Sequence, residues 1–410
     1  MTRLIIPFLF LIVLDIYFFQ SIRTVASVVG DKWRIAIYLG YWLLTGITLV
    51  AVYVAATGGS FPNHIRYYLL SFVLVLVVPK VVGVVFMLGE DVFRIGSGTL
   101  RSFGADSTPF LQSRRMFVSQ VGLMVAAIPF TALLYGMAKT AFDFTVRKKT
   151  IHFADLPPAF DGLKVLQISD MHSGSFASPS YITKAIDKIL EQKADIIFFT
   201  GDLVNNEASE AEPFLNELSR LKAPLGVFSI LGNHDYGDYG PWPSEKAKVE
   251  NLQRLKDLQK DAGWNLLLNS NHTINKNNEE LAIVGVENWG ASRHFPKYGD
   301  LDKAVSGVEN VPFKILLSHD PSHWDAQIKQ HPQEFQLTLS GHTHGFQFGI
   351  EIPGFKWSPV QYIYKQWAGL YKDGGQHIYV NRGLGFLGYM GRVGISPEIT
   401  VLELRSEEIA

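Results

Sequence analysis

The 410-residue chain contains no cysteine, which excludes disulfides, thiolate metal sites and a cysteine nucleophile while leaving the compartment open. Charge is scarce as well. Only 18% of residues are Asp, Glu, Lys or Arg, and 37 basic against 38 acidic side chains leave a formal net charge of −1. No general basic field exists to attract nucleic acid, so none is expected as a partner. Internal repeats and low-complexity segments are also missing. What the chain has in excess is apolar residues, 47% of the total, and the excess lies almost entirely before residue 140.

Four apolar stretches make up that excess: Leu4–Phe19, Ile35–Ala56, Tyr67–Leu88 and Phe117–Ala138. Each approaches the ~20 residues needed to cross a hydrocarbon core. Polar breaks such as Gly30-Asp31-Lys32 and Gly58-Gly59-Ser60 separate them. Asp15 is expensive in lipid and is expected to face other helices or an interface. Lys80, beside Pro79, marks a candidate kink. Trp33, Tyr38, Tyr41 and Trp42 cluster as an aromatic belt would. One rival reading is a bundle of buried helices in a soluble protein. Another makes the first stretch a cleavable signal peptide, but no small-residue cleavage site comes after it. A multi-pass region of about four spans over residues 1–145 fits better, in an integral cell-membrane protein. Positive residues nearly balance across the two sides: Arg3, Arg66, Lys139, Arg147, Lys148 and Lys149 against Arg23, Lys32, Arg34, Arg94, Arg101, Arg114 and Arg115. The compact Arg147-Lys148-Lys149 run favours a cytoplasmic location for the C-terminal two thirds of the chain.

Residues 146–410 change to a water-soluble alternation. Strands are expected at Leu163–Ile168, Asp195–Thr200, Gly226–Leu231, Leu281–Val286, Phe313–Ser318 and Gln336–Leu339, and helices at Ile182–Lys193 and Glu245–Ala262. Such alternation implies a mixed sheet with helices on its outer faces.

Polar residues gather where these strands end. Asp170 and His172 come after the first, Gly201-Asp202 after the second, and Gly232-Asn233-His234-Asp235 after the third. Ser318-His319-Asp320 and Gly341-His342-Thr343-His344 end two later ones. Ligands of open α/β sheets collect at that edge, and the glycines before Asp202, Asn233 and His342 allow sharp turns. Each piece alone has an ordinary alternative; Gly201-Asp202, for instance, reads equally as a turn. All five in order, each behind an apolar strand, argue for one site. Imidazole with carboxylate suits Zn, Mn or Fe, and a carboxylate between two metals can bridge them.

In these motifs the chain resembles the calcineurin-like metallophosphoesterase superfamily, over about Val146 to the C-terminus. It looks most like the bacterial membrane-associated phosphodiesterase branch, which shares Arg382-Gly383-Leu384-Gly385 and Pro397-Glu398-Ile399-Thr400. The resemblance implies a four-layer αββα sandwich, preceded here by the transmembrane helices. It also implies two divalent metal ions. Asp170, His172, Asp202 and His344 would hold one, and Asp202, Asn233, His319 and His342 the other, with Asp202 as the bridge. His234 would protonate the leaving alkoxide, Asp235 would orient that imidazole, and metal-activated hydroxide would attack phosphorus. Phe346 departs from the pattern, standing where many relatives have glycine, and Leu203 after Asp202 does not suggest tyrosinate-iron chemistry.

Among the remaining histidines, His152, His272, His294, His331 and His377 read as surface or loop residues, while His323 leaves a substrate contact open. Asn205 and Asn206 fit a pocket wall or turn chemistry equally. Trp357, Tyr362, Tyr364, Trp367 and Tyr371 read as core and rim packing, or as an apolar wall receiving an acyl chain. The expected function is hydrolysis of a phosphodiester or pyrophosphate in a lipid-linked or nucleotide-linked substrate. The alternatives are a phosphomonoesterase acting on a phosphoprotein with the same metal core, and a membrane sensor or scaffold whose metal domain only binds ligand.

Overall fold

A computed structural model describes residues 2–57, 63–102, 112–293 and 295–407. The Gly58-Gly59-Ser60 break and His294 lie outside the described residues, as do the side chains of Arg3 and Arg101. The chain divides into two compact units, Met1–Met137 with Gly388–Met390, and Ala138–Leu387 with Gly391–Ala410.

The first unit contains helices α1 (Thr2–Val25), α2 (Asp31–Thr57), α3 (Asn63–Ser102) and α4 (Gln112–Ala138). All four are long and apolar enough to cross a membrane. They overrun the apolar stretches because backbone hydrogen bonding continues into the polar flanks, and α3 runs on through Pro79. Asp15 is 2% exposed. Its Oδ1 accepts from Lys80 Nζ at 2.5 Å, Tyr41 Oη at 2.6 Å and Thr45 Oγ1 at 3.0 Å. Two ionisable side chains inside apolar spans thus satisfy each other, as lipid demands. The expected aromatic belt is only partly one. Trp33 is exposed, but Tyr38, Tyr41 and Trp42 pack around Phe19, with ring centroids 5.0, 5.3 and 5.3 Å away. Lys80→Met should strand the buried carboxylate and lower stability by about 3 kcal/mol, read by SDS titration of the purified chain. The paired change Asp15→Asn with Lys80→Met should recover most of the loss; a wild-type midpoint for Lys80→Met alone would mean that the pair contributes nothing.

The second unit begins with strands β1 (Thr145–Phe153), β2 (Leu163–Ile168), β3 (Ile196–Phe199), β4 (Val227–Ser229) and β5 (Asn265–Leu266). Next come β6 (Ser270–Lys276), β7 (Glu279–Gly285), β8 (Phe313–Leu317) and β9 (Leu337–Ser340). A hairpin of β10 (Ile350–Ile352) and β11 (Phe355–Trp357) precedes β12 (Gly369–Asp373), β13 (Gln376–Val380) and β14 (Glu398–Ser406). Two six-stranded mixed sheets result, in the orders β1-β14-β2-β3-β4-β5 and β12-β13-β9-β8-β7-β6.

Period-2 alternation assembles them. Val165, Phe198 and Phe228 of the first sheet share one core with Ile283, Ile315, Leu337 and Tyr379 of the second. The intervening Ala282, Val284 and Leu316 point the other way, into a separate cluster with Leu301, Val305 and Trp324 from two short helices. Helix α5 (Ser180–Glu191) buries Ile182, Ala185, Ile186 and Ile189, one face at helical spacing. The α/β sandwich expected from the sequence therefore forms, with β2, β3, β4, β8 and β9 all ending where the polar motifs begin.

Candidate metal centre

The loops that leave these strands turn abruptly, and their backbone records it. Asp170, His172, Asp202, His342 and His344 all have positive φ, between 49° and 70°. This conformation is uncommon outside glycine and concentrates at functional sites. Of the preceding glycines only Gly201 adopts positive φ itself, at 95°. Gly232 and Gly341 serve a different purpose from the one expected: a Cβ there would collide with the carboxylates of Asp202 and Asp170 respectively.

Two clusters of ligand atoms result, Asp170, His172 and His344 in one and Asp202, His319 and His342 in the other, each with atoms within 4.8 Å of one another. Asp202 Oδ2 lies 3.5 Å from His172 Nε2 and 3.2 Å from His319 Nε2, so it stands between them. Asp170 Oδ1 lies 3.3 Å from His344 Nε2. Asn233 Oδ1 is 2.9 Å from His342 Nδ1. All seven residues expected as ligands are thereby brought together.

Hydrogen bonds fix which ring nitrogens face inward. Carbonyl oxygens only accept, so His319 Nδ1–H donates to Thr200 O at 2.7 Å, which turns Nε2 inward toward the Asp202 carboxylate. That Nε2 is buried and has no hydrogen-bond partner. His172 Nδ1 is likewise held by Asn205 Oδ1 at 2.9 Å, and its Nε2 faces His344 Nε2 at 3.0 Å. An orphaned buried nitrogen and two imidazole nitrogens aimed at one point, beside two carboxylates, are the donor set that divalent Mn, Zn or Fe accepts. The residues fit the metals.

Electrostatics of the side chains alone point the same way. Burial opposes ionisation of Asp170 and Asp202. The neighbouring histidines outweigh it, His344 and His319 at Asp170 and His319 and His234 at Asp202, and hold both carboxyls below the usual range. Burial drives His172 down to about 3, keeping it neutral and able to ligate. It lowers His342 too. At His319 burial is overcome by the Asp202 charge, and the imidazole rises to about 10. A cation is thus favoured where a metal ion is expected.

His234 and Asp235, expected as the catalytic pair, depart from that expectation in one respect. His234 Nδ1 donates to the Asn205 carbonyl at 2.8 Å, so its orienting partner is Asn205 and not Asp235. The Asp235 carboxylate instead accepts from the backbone nitrogens of Asp202, Leu203, Val204 and Gly232, at 2.8 to 3.2 Å. It clamps the Asp202 and Asn233 loops together, and burial followed by the Asp202 charge raises it to about 7. His234 lines a cleft of about 310 Å³ with His172, Asp202, Asn233, Tyr239 and His342.

Some contributors carry no sign in the sequence. His342 Nε2 lies 2.9 Å from Tyr364 Oη, which in turn donates toward Asp320 at 3.5 Å. Tyr239 Oη accepts from Asn233 Nδ2 at 3.0 Å. Contacts of this kind orient ligands where a metal ion is bound. The Arg382–Gly385 and Pro397–Thr400 motifs brace the first loop: Leu384 N and Gly385 N donate to Ser169 O and Asp170 O, both at 2.8 Å, while Arg382 Nη1 reaches Glu398 Oε2 at 2.5 Å.

Among the described residues, His152, His272, His323, His331 and His377 stay out of the cleft. His152 and His272 are exposed and His331 is half-buried. His377 is not a surface residue, being 6% exposed and packed against Phe153 at 4.9 Å. His323 is buried too, stacked on Trp289 at 4.5 Å and bonded to Ser318 Oγ and Gln327 Oε1. Burial pushes it from 6.5 down to about 4. Below pH 6.5 the unfolded chain gains a proton that the folded imidazole refuses. Stability should therefore fall as pH drops through that window, by up to about 3 kcal/mol. Thermal melts from pH 7 to pH 4 should show His323→Gln flattening this slope; an unchanged slope would remove His323 from the account.

A family profile described as "Calcineurin-like phosphoesterase" matches residues 163–346. A second, "Probable Calcineurin-like phosphoesterase, transmembrane domain", matches residues 2–141. The chain is 32% identical to "Uncharacterized metallophosphoesterase YkuE" of Bacillus subtilis, over 72% of its own length and 98% of the relative's. It is 30% identical to "Phosphodiesterase YaeI" of Escherichia coli, over 71% and 99% of the two. With "Transmembrane protein with metallophosphoesterase domain" of Danio rerio, identity is 27% over 93% of this chain and 83% of the relative. These matches, over the four apolar helices and the loops that carry the candidate ligands, establish that the chain belongs to the calcineurin-like phosphoesterases.

Proposed function

We propose that the chain is a membrane-anchored dinuclear-metal hydrolase of phosphodiester or pyrophosphate bonds, with an anchor at residues 1–145 and a catalytic domain at 146–410. The observation that carries this reading is Asp202 Oδ2, poised between a histidine of each ligand cluster. One ion would be held by Asp170, His172, Asp202 and His344, and the other by Asp202, Asn233, His319 and His342. Bound there, the ions would supply Lewis acidity and a hydroxide nucleophile at neutral pH.

The protein's own groups do the rest. His234, with Nδ1–H spent on the Asn205 carbonyl, turns Nε2 toward the cleft and in its protonated form donates to the departing alkoxide. Asp235 acts on the reaction only through the loops it clamps. Phe295 and Leu387, with Tyr239, give the cleft apolar walls, which suits a substrate whose phosphate carries a lipid or nucleoside group. The Arg147-Lys148-Lys149 run supports a cytoplasmic catalytic domain.

Purified full-length protein with Mn²⁺ should hydrolyse bis(p-nitrophenyl) phosphate with a higher kcat/KM than p-nitrophenyl phosphate. EDTA should abolish the activity and Mn²⁺ restore it. A reversed preference would establish a monoesterase, and turnover that resists EDTA would refute the metal reading.

A further inference from the structure

The segment after His344 is built the wrong way out for water. Hairpin β10–β11 pairs Ile350 with Trp357, Glu351 with Lys356 and Ile352 with Phe355. Directly paired residues share a face, so Ile350, Ile352, Phe355 and Trp357 lie on one side and the two charged residues on the other. In a soluble hairpin the charged side would meet solvent. Here Glu351 is turned inward, and Lys356, though exposed, is tied down at its tip. Glu351 bonds Arg147 at 2.8 Å and Arg382 at 2.7 Å, and Lys356 Nζ donates to Ala368 O at 2.6 Å. The apolar side is left uncovered, with Ile352 58% and Phe355 53% exposed.

The uncovered surface extends past the hairpin. Phe348 meets Trp357 edge-on, and Trp357 Nε1 donates to Tyr362 Oη at 3.3 Å. Tyr362 and its neighbour Ile363 are exposed, as is Phe346. Phe346 is also strained. It holds φ at 58°, a conformation that glycine adopts freely and a bulky side chain resists. In that conformation its aromatic ring is left 56% exposed.

We propose that β10–β11, with Phe346 and Phe348, forms a docking surface that inserts into the interfacial layer of a lipid bilayer. The bilayer is the occupant because the chain delivers this unit to one. Four helices fit to cross a membrane precede it. Only six residues, 139–144, separate the end of α4 from the start of β1, a tether of at most about 20 Å. Aliphatic and aromatic groups with a nearby cation, here the exposed Lys365, are what interfacial segments offer to headgroups and acyl chains. Phe346 stands two residues after His344, so insertion brings that rim of the cleft to headgroup level. On the hydrolytic reading, the scissile phosphate would then be presented from a lipid headgroup.

Because the native chain lacks cysteine, single labelling sites are clean. Full-length Phe355→Cys and, separately, Ile352→Cys would carry an environment-sensitive nitrobenzoxadiazole dye in vesicles of phosphatidylethanolamine and phosphatidylglycerol. Lys246→Cys, whose native side chain is 85% exposed, serves as the aqueous control. The expected result is a blue-shifted emission at 352 and 355, with quenching of about twofold by lipids bearing a nitroxide high on the acyl chain, and neither effect at 246. Quenching at 352 and 355 by aqueous iodide to the extent seen at 246 would overturn the proposal. So would protection from both quenchers, which would assign the surface to a protein or to a second copy of this chain. The readout is independent of hydrolysis, so an inactive preparation still decides it.

Discussion

Asp202→Ala should reduce kcat/KM by about 10⁴-fold or more, about 5 kcal/mol of transition-state stabilisation. The magnitude reflects the several tasks of one carboxylate. Its Oδ2 approaches a histidine of each cluster, so on the proposed reading its removal would take a ligand from both ions and the means of holding them close together. Its Oδ1 accepts from His234 N at 2.9 Å, so the alanine variant also frees the backbone of the proposed leaving-group acid. Asp202→Asn separates these two effects, since the amide oxygen can still accept from His234 N while the bridging charge is gone. Its activity should fall nearly as far as that of the alanine variant, with bound metal reduced and the melting temperature close to wild type. Near-wild-type turnover in Asp202→Asn would show that the bridging charge is dispensable.

His234→Ala should behave differently. The residue is assigned no metal, so two ions should stay bound, KM should change little, and kcat should fall by about 10² to 10⁴. The diagnostic is the leaving group. p-Nitrophenolate departs without protonation, so bis(p-nitrophenyl) phosphate should lose least. A diester that expels an aliphatic alkoxide needs the proton and should lose most. Equal losses on both substrates would reduce His234 to a positioning residue. Asp235→Asn should act through the loops instead. Replacing one carboxylate oxygen by NH₂ removes an acceptor facing the backbone nitrogens of Asp202, Leu203, Val204 and Gly232, and should lower the melting temperature and the metal content together.

Much of the centre was legible in the sequence because its signals are local. A strand ending in Asp-x-His, Gly-Asp, Gly-Asn-His-Asp or Gly-His-x-His places its ligands by turn geometry alone, and the positive φ values at Asp170, Asp202 and His342 are the physical form of that signal. The four long helices were legible for the same reason, since lipid imposes a length and an apolar composition on each one separately. Contacts across the fold were harder to read. Tyr364 reaches His342 from 22 residues away, and Asn205 holds both His172 and His234 from a loop whose residues also suit an ordinary turn. The pairing of Asp235 with His234 is implied by the family resemblance, whereas its carboxylate turns back to the backbone. His323 and His377 carried no sign of burial, because imidazole is compatible with a core when its nitrogens find partners or its ring finds an aromatic neighbour. The β10–β11 hairpin alternates as any half-buried hairpin does, and alternation does not reveal which face is outward.

The most direct test of the account is the metal content and spin state of the full chain reconstituted with Mn²⁺. Two ions per chain are predicted, with an electron paramagnetic resonance spectrum showing exchange coupling between them, as expected for ions about 3.5–4 Å apart that share Asp202. A single ion per chain, or two ions with the uncoupled six-line spectrum of isolated Mn²⁺, would contradict it.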